Sequence, residues 1–147
     1  MSPPKTLEFF FDFGSPASFL AYTQLPRLIE QTGATLQLRP MLLGAVFKAT
    51  GNASPVSVPA KGRWMGQDLQ RWAQRYGVVF AFNPAFPINT LTLMRGAVGL
   101  QMRQPERLRA YCDAVFAARR RRDRACAAHH GRRTVGREHH EDTHRLP

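Results

Sequence analysis

Residues 6–12 read TLEFFFD, and two residues later Gly14-Ser15-Pro16 turns the chain into a helix. An aromatic run of that length fits a buried strand. Ser15 is a natural N-cap, and Pro16 suits the first helical position. Phe19, Tyr22, Leu25 and Leu28/Ile29 keep helical spacing up to Gly33, which stands where a C-cap belongs. Pro26 lies inside that helix and predicts a kink or a break near Tyr22. Leu36 and Leu38 alternate through residues 35–39, a second strand stopped by Pro40. The opening is thus β-α-β, and a right-handed crossover makes its two strands parallel.

The chain then changes character. Residues 41–59 read as irregular, punctuated by Gly44, Gly51-Asn52 and Pro55. A helix is predicted from about Pro59 to Tyr76, with Trp64, Met65, Leu69, Trp72, Ala73 and Tyr76 on one face and Gly77 closing it. At that spacing Trp64 and Trp72 read as core rather than as platforms for a ligand. Residues 78–82 read as extended and 83–87 as a loop. Asn89 then caps a helix carrying Leu93, Met94, Ala97 and Val98. Pro105-Glu106 opens a last one with Leu108, Tyr111, Cys112, Val115 and Phe116. Cys112, on that last apolar face, reads as a packing residue. The fold class is α/β: a β-α-β start followed by a helical block.

All 15 aromatics lie before residue 119. The 29 residues that follow Ala118 hold 9 Arg, 4 acids and all 5 His, with only small or isolated apolar side chains. Such a stretch buries too little apolar surface to offset its chain entropy. Residues 5–118 are therefore expected to fold as one domain, and 119–147 to form a basic, disordered tail. Two cysteines exclude a multi-disulfide scaffold and fit a reducing compartment. No apolar run approaches the roughly 18–20 residues of a membrane span, and the first residues do not read as a secretory signal. The expectation is a soluble, cytoplasmic protein with no membrane partner.

The chemistry-bearing element is the turn Phe11-Asp12-Phe13-Gly14-Ser15-Pro16-Ala17-Ser18. It delivers a hydroxyl to a helix N-terminus, where free N–H groups and the helix dipole favour negative charge. A thiolate placed there is stabilised, as in Cys-x-x-Cys enzymes, but here Ser15 and Ser18 stand at both sulfur positions. That disfavours a dithiol oxidoreductase. It leaves room for a thiolate brought by a cofactor, with the Ser15 hydroxyl donating to it. Taken alone, a Ser-Pro pair at a helix start is most often only a cap.

FFFDFGSPASFLAY resembles the N-terminal signature of the 2-hydroxychromene-2-carboxylate isomerase family. That family is similar to kappa-class glutathione transferases and DsbA-like proteins and has a thioredoxin fold with an inserted helical domain. The similarity continues through Arg39-Pro40-Met41-Leu42-Leu43-Gly44, Phe47-Lys48-Ala49-Thr50-Gly51-Asn52, Ala60-Lys61, Asp68-Leu69, Arg71-Trp72-Ala73 and Asn83-Pro84-Ala85-Phe86-Pro87-Ile88-Asn89-Thr90. It implies glutathione as cofactor, with Ser15 activating its sulfur and Asn52 and Lys61 holding the peptide. Lys61 would offer a point charge to a carboxylate, and Asn52 would pair with an amide through donor and acceptor together. Read without the resemblance, Lys61 is a solvated lysine at a helix start. Arg39 could meet a substrate carboxylate, though a strand-end arginine is most often solvated. The implied reaction adds the thiolate to an unsaturated α-keto acid, rotates about the bond thereby made single, and eliminates glutathione. It interconverts 2-hydroxychromene-2-carboxylate and trans-o-hydroxybenzylidenepyruvate in naphthalene-type aromatic breakdown.

After Ala118 the resemblance stops, and the second half of the thioredoxin sheet is expected to be absent. Of the 21 basic residues 18 are Arg, a usage that hints at GC-rich coding, and a frame change in such a gene would yield an Arg/Ala/Gly/His-rich stretch of this kind. The tail is thus expected to be no natural part of the fold, and the chain to show little activity. Two other readings of it stay open. A run of four Arg can hold polyanions in a salt-sensitive, non-specific way, giving a scaffold with no specific nucleic-acid target. His129-His130 and His139-His140 with His144 lack the context of a metal site, so no metal is expected. A kappa-like glutathione transferase acting through the same Ser15 is the nearest enzyme alternative, and the partners expected are a small aromatic keto acid and a second copy of the chain.

Overall fold

β1 (Thr6–Phe11) and β2 (Thr35–Pro40) pair in parallel, Thr6 opposite Thr35 and Phe11 opposite Pro40. The crossover between them is α1 (Pro16–Thr32). The chain continues through α2 (Leu43–Ala49), a single 3₁₀ turn at Pro55–Ser57, α3 (Pro59–Tyr76), α4 (Leu91–Arg103) and α5 (Pro105–Val135). This computed structural model describes residues 5–83 and 86–135, with side chains described as far as Ala125.

The start follows its local chemistry. Ser15 caps α1, its Oγ accepting the Ser18 N–H at 3.1 Å, and Pro16 occupies the first turn. At the other end Gly33 takes φ 64°, a left-handed value that a side chain would resist, and its N–H donates to the Ile29 carbonyl at 2.8 Å. α1 runs unbroken through Pro26, so the expected break does not occur. A single missing N–H is outweighed by the burial of Phe19, Leu20, Tyr22 and Leu25 on the same helix.

Alternation along the strands sorts the sheet into two faces. Leu7, Phe9 and Phe11 with Leu36 and Leu38 join the core, whereas Glu8, Phe10, Gln37 and Arg39 face solvent. There Arg39 Nε donates to Glu8 Oε1 at 2.8 Å and its Nη2 to Gln37 Oε1 at 2.8 Å. The core gathers around Phe116 of α5. Its ring lies 4.4 Å from Tyr22, 5.1 Å from Phe13 and 6.2 Å from both Phe11 and Phe19. Cys112, one turn earlier, is fully buried, as its place on that face predicted.

Four further expectations need correction. The stretch 41–59 is not irregular throughout: α2 and the 3₁₀ turn lie within it. Trp64 and Trp72 are exposed, at 62% and 43%, while Leu69 and Ala73 are the buried residues of α3. The helix packs on α1 through a narrow stripe, and the large rings fall outside it. Third, the cap of α4 is Thr90 rather than Asn89, whose Oδ1 accepts the Leu91 N–H at 3.0 Å.

Fourth, the boundary expected after Ala118 falls inside α5. Arg and Ala are strong helix formers, so the helix continues where the apolar pattern ends. Arg119 lays its guanidinium over the rings of Phe19 at 5.1 Å and Phe80 at 5.9 Å. Asp123 is fully buried beneath it, with Arg119 Nε 3.8 Å from its Oδ2 and Arg122 Nη2 donating to its Oδ1 at 2.7 Å. Arg119 and Asp123 thus pack against the domain, while Arg120, Arg121 and Arg124 are exposed. Of the four-Arg run, Arg119 is turned into the core and Arg122 is paired with Asp123, which leaves Arg120 and Arg121 as its exposed members; the expectations on the histidines concern side chains outside the described residues.

Candidate functional site

The turn between β1 and α1 opens onto a cavity of about 470 Å³. Ser15, Pro16 and Ala17 form one wall, α2 contributes Leu43, Gly44, Ala45 and Phe47, and α3 contributes Met65 and Leu69. Ser54 and Pro55 close one side, and residues 86–90, which include the cis Phe86–Pro87 peptide, close another. The lining is largely apolar. Its polar side chains are Asp12, Ser15, Ser54, Asn89 and Thr90.

Ser15 is half-buried at the mouth of α1. Because its Oγ accepts from the Ser18 N–H, its own hydrogen is available to donate. Pro16 has no N–H, and the Phe19 N–H is taken by the Ser15 carbonyl at 3.2 Å. Ala17, which also lines the cavity, keeps a first-turn amide without an intrahelical acceptor. No acidic residue sits in the first turn of α1 to offset its dipole. Hydroxyl, amide and dipole together favour negative charge at this point.

Asp12 is the residue that sequence reasoning passed over. It is buried, and its carboxylate accepts three hydrogen bonds. Oδ1 takes the Gly14 N–H at 2.8 Å and the Thr90 hydroxyl at 2.7 Å, and Oδ2 takes the Leu43 N–H at 2.9 Å. Its carbonyl accepts the Ser15 N–H at 3.0 Å. The signal was present in the sequence: an Asp set among phenylalanines can be buried only if donors reach it. Gly14 is needed for this closeness. A Cβ there would lie 3.1 Å from Thr90 Cγ2 and 3.3 Å from Asp12 Oδ1.

Of the three residues singled out beforehand, the cavity includes Ser15 but neither Asn52 nor Lys61. Asn52 is exposed just beyond α2, its Oδ1 accepting the Ala53 N–H at 2.8 Å. Lys61 is exposed in the first turn of α3, one turn before the lining residue Met65. Both flank elements that line the cavity. Among the described residues no three His, Cys, Asp or Glu side chains gather as a metal would require, and no helix is long and apolar enough to cross a membrane.

A parallel β-α-β unit with a serine hydroxyl at the mouth of its helix, followed by a helical block, is the arrangement of a thioredoxin-like class. Residues 6–140 match the family model of the DSBA-like thioredoxin domain, and the chain belongs to that family. Among its relatives it is similar to a 2-hydroxychromene-2-carboxylate isomerase of Sphingobium xenophagum, at 40% identity over 56% of this chain and 43% of the other. It is also similar to glutathione S-transferase kappa 1 of Rattus norvegicus, at 33% over 71% and 49%. A solved 2-hydroxychromene-2-carboxylate isomerase superposes with a TM-score of 0.59 at 33% identity, covering 76% of this chain and 54% of that one. The chain spans about half the length of the curated relatives it matches. The two-stranded sheet, with a helical block behind it, agrees with a partial thioredoxin sheet.

Proposed function

We propose that the cavity is the thiol and substrate site of a glutathione-dependent isomerase, the reaction being the interconversion of 2-hydroxychromene-2-carboxylate and trans-o-hydroxybenzylidenepyruvate. The observation that carries this reading is the Ser15 hydroxyl, free to donate at a helix N-terminus that faces an apolar cavity. The donor set fits a thiolate. Ser15 offers a hydroxyl hydrogen, Ala17 an amide, and α1 a dipole with no acid in its first turn, while the Asp12 carboxylate on the same cavity is met by three protein donors of its own. Bound glutathione would supply the nucleophilic sulfur that makes rotation about the substrate's double bond possible.

The chain's own residues divide the remaining work. Ser15 stabilises charge on the sulfur. Phe47, Met65, Leu69 and Ile88 surround an aromatic ring and keep water from it. Among the described residues no cation lines the cavity, so the carboxylates of the tripeptide belong outside it, where Lys61 offers an ammonium and Asn52 a paired amide contact. A cytoplasmic setting, a second copy of the chain as partner and the lack of a specific nucleic-acid target complete the reading.

Calorimetric titration of the full chain with glutathione, together with thiolate absorbance at varied pH, tests it. Ser15→Ala should raise the bound thiol pKa by about one to two units, the loss of one charge-assisted hydrogen bond worth roughly 1.5–3 kcal/mol. Lys61→Ala should weaken glutathione binding and leave that pKa in place. Absence of glutathione binding, or an unchanged thiol in Ser15→Ala, overturns the proposal. Conjugation of glutathione to an electrophilic arene without isomerisation would move the function to the kappa-like transferase, which shares the serine. Binding to heparin alone, lost at high salt, would leave only the polyanion scaffold.

A further inference from the structure

Asp12 lies against the proposed thiol site, yet its carboxylate is committed to protein donors. Those donors come from three separate parts of the chain. Gly14 belongs to the turn that carries Ser15, Leu43 is the first residue of α2, and Thr90 is the N-cap of α4. Each of the three segments forms a wall of the cavity. The α2 terminus has no side-chain cap of its own, so Asp12, 31 residues away, supplies it. Thr90, like Asp12, is buried, and its hydroxyl has the Asp12 oxygen as acceptor.

We infer that Asp12 is a positioning residue: one buried carboxylate latches the Ser15 turn to the first turns of α2 and α4 and so sets where the Ser15 hydroxyl stands in the cavity. The inference rests on the proposed role of Ser15 for its chemical consequence, although the latch itself does not. Asp12 is not a proton-transfer group in this arrangement, since both of its oxygens accept from fixed protein donors. Substitution by Asn exposes the geometry. One amide oxygen can keep the Gly14 and Thr90 bonds, but the new NH₂ then confronts the Leu43 N–H, donor against donor.

Two readouts on the full chain test it. The first is amide exchange and needs no ligand. Asp12→Asn should speed exchange at Leu43 by about tenfold or more relative to amides around Leu108 and Cys112 in α5, as for loss of one buried charged acceptor. Thr90→Val should loosen Gly14 and Ser15, and Thr90→Ser, which keeps the hydroxyl, should restore them. Uniform acceleration across the chain, or none, overturns the latch. The second is the thiol pKa of bound glutathione. Asp12→Asn should shift it when Ser15 is present and add nothing in a Ser15→Ala background, because Asp12 acts through Ser15. Additive shifts in the double variant, the mark of a merely structural effect, overturn the positioning role. If Ser15→Ala alone leaves the thiol unchanged, the proposed function and the chemical role fail together, and the exchange pattern still decides the latch.

Discussion

Replacing Asp123 by Ala tests whether the basic stretch beyond Ala118 is held by the domain. The substitution removes a fully buried carboxylate and leaves the Arg119 guanidinium, only 9% exposed, without its counter-charge. Burial already lowers the Arg119 pKa, with Asp123 as the opposing influence that favours the charged form. Breaking a buried ion pair on one side commonly costs about 3–5 kcal/mol. Here the cost should be smaller. The pair stands 3.8 Å apart, Arg119 Nε and Asp123 Oδ2 have no hydrogen-bond partner, and Arg119 keeps its stacking on Phe19 and Phe80. A loss of about 2–3 kcal/mol is expected for Asp123→Ala. About half of that is expected for Asp123→Asn, which still accepts from Arg122. Replacing Arg119 and Asp123 together by Leu should come within about 1 kcal/mol of the parent, because no lone charge remains. Urea unfolding at pH 7, followed by tryptophan fluorescence and circular dichroism, measures all three. The loss should persist in high salt, since a buried pair is poorly screened. A change below about 0.5 kcal/mol in Asp123→Ala, the size of an ordinary surface substitution, would refute docking of α5 beyond residue 118.

Other perturbations separate the structural layers. Gly14→Ala should cost about 1–3 kcal/mol by overpacking against Thr90 and Asp12 and should weaken ligand binding in parallel; thermal melts and calorimetry read the two effects. Leu69→Ala should lose about 2–5 kcal/mol of unfolding free energy, and Trp64→Ala on the same helix less than about 0.5 kcal/mol, reversing the order that ring size alone suggests. Burial pushes the Cys112 thiol up to about 12 from an ordinary 9, and burial followed by the bond to Asp113 raises the Tyr22 hydroxyl as well. Both groups bind protons more tightly when folded, so their contribution is complete below pH 9 and falls as pH rises toward 12. Cys112→Ala should flatten that fall by about 1.4 kcal/mol per pH unit, read from urea midpoints between pH 9 and 11.

What could be read from the sequence was what is decided locally. The cap at Ser15, the stop at Gly33 and the alternation of Leu36 and Leu38 each depend on neighbours within a turn, and the structure keeps them. Helix α2 escaped because its N-terminal amide is held by Asp12, which no window around Leu43 contains. α5 was cut short for a different reason. Apolar periodicity ends at Phe116, but helix propensity does not, and an Arg can cover aromatic rings with its planar head. On α3 the period was right and Met65, Leu69, Ala73 and Tyr76 do meet the core, but Trp64 and Trp72 fall outside the shielded stripe, whose width only packing on α1 decides. At the site, Ser15 could be reached from the physics of a helix terminus. Asn52 and Lys61 were reached only through family resemblance, and their exposed positions reflect that difference. Thr90 and Ser54 had no signal at all, because nothing in sequence distance brings them beside Ser15.

The dependence of the opening strand and helix on Phe116 bears on synthesis. Phe9, Phe11, Phe13, Phe19 and Tyr22 leave the ribosome early, while the ring that seals four of them is encoded roughly a hundred residues later. At about 5–20 residues per second, those aromatics remain open for roughly 5–20 s on every nascent chain. The β-α-β unit can assemble within that interval, but without its lid it presents a sticky aromatic surface. Yield in the cell should therefore depend on how well nascent-chain chaperones shield the first forty or so residues, more than on the stability of the finished molecule.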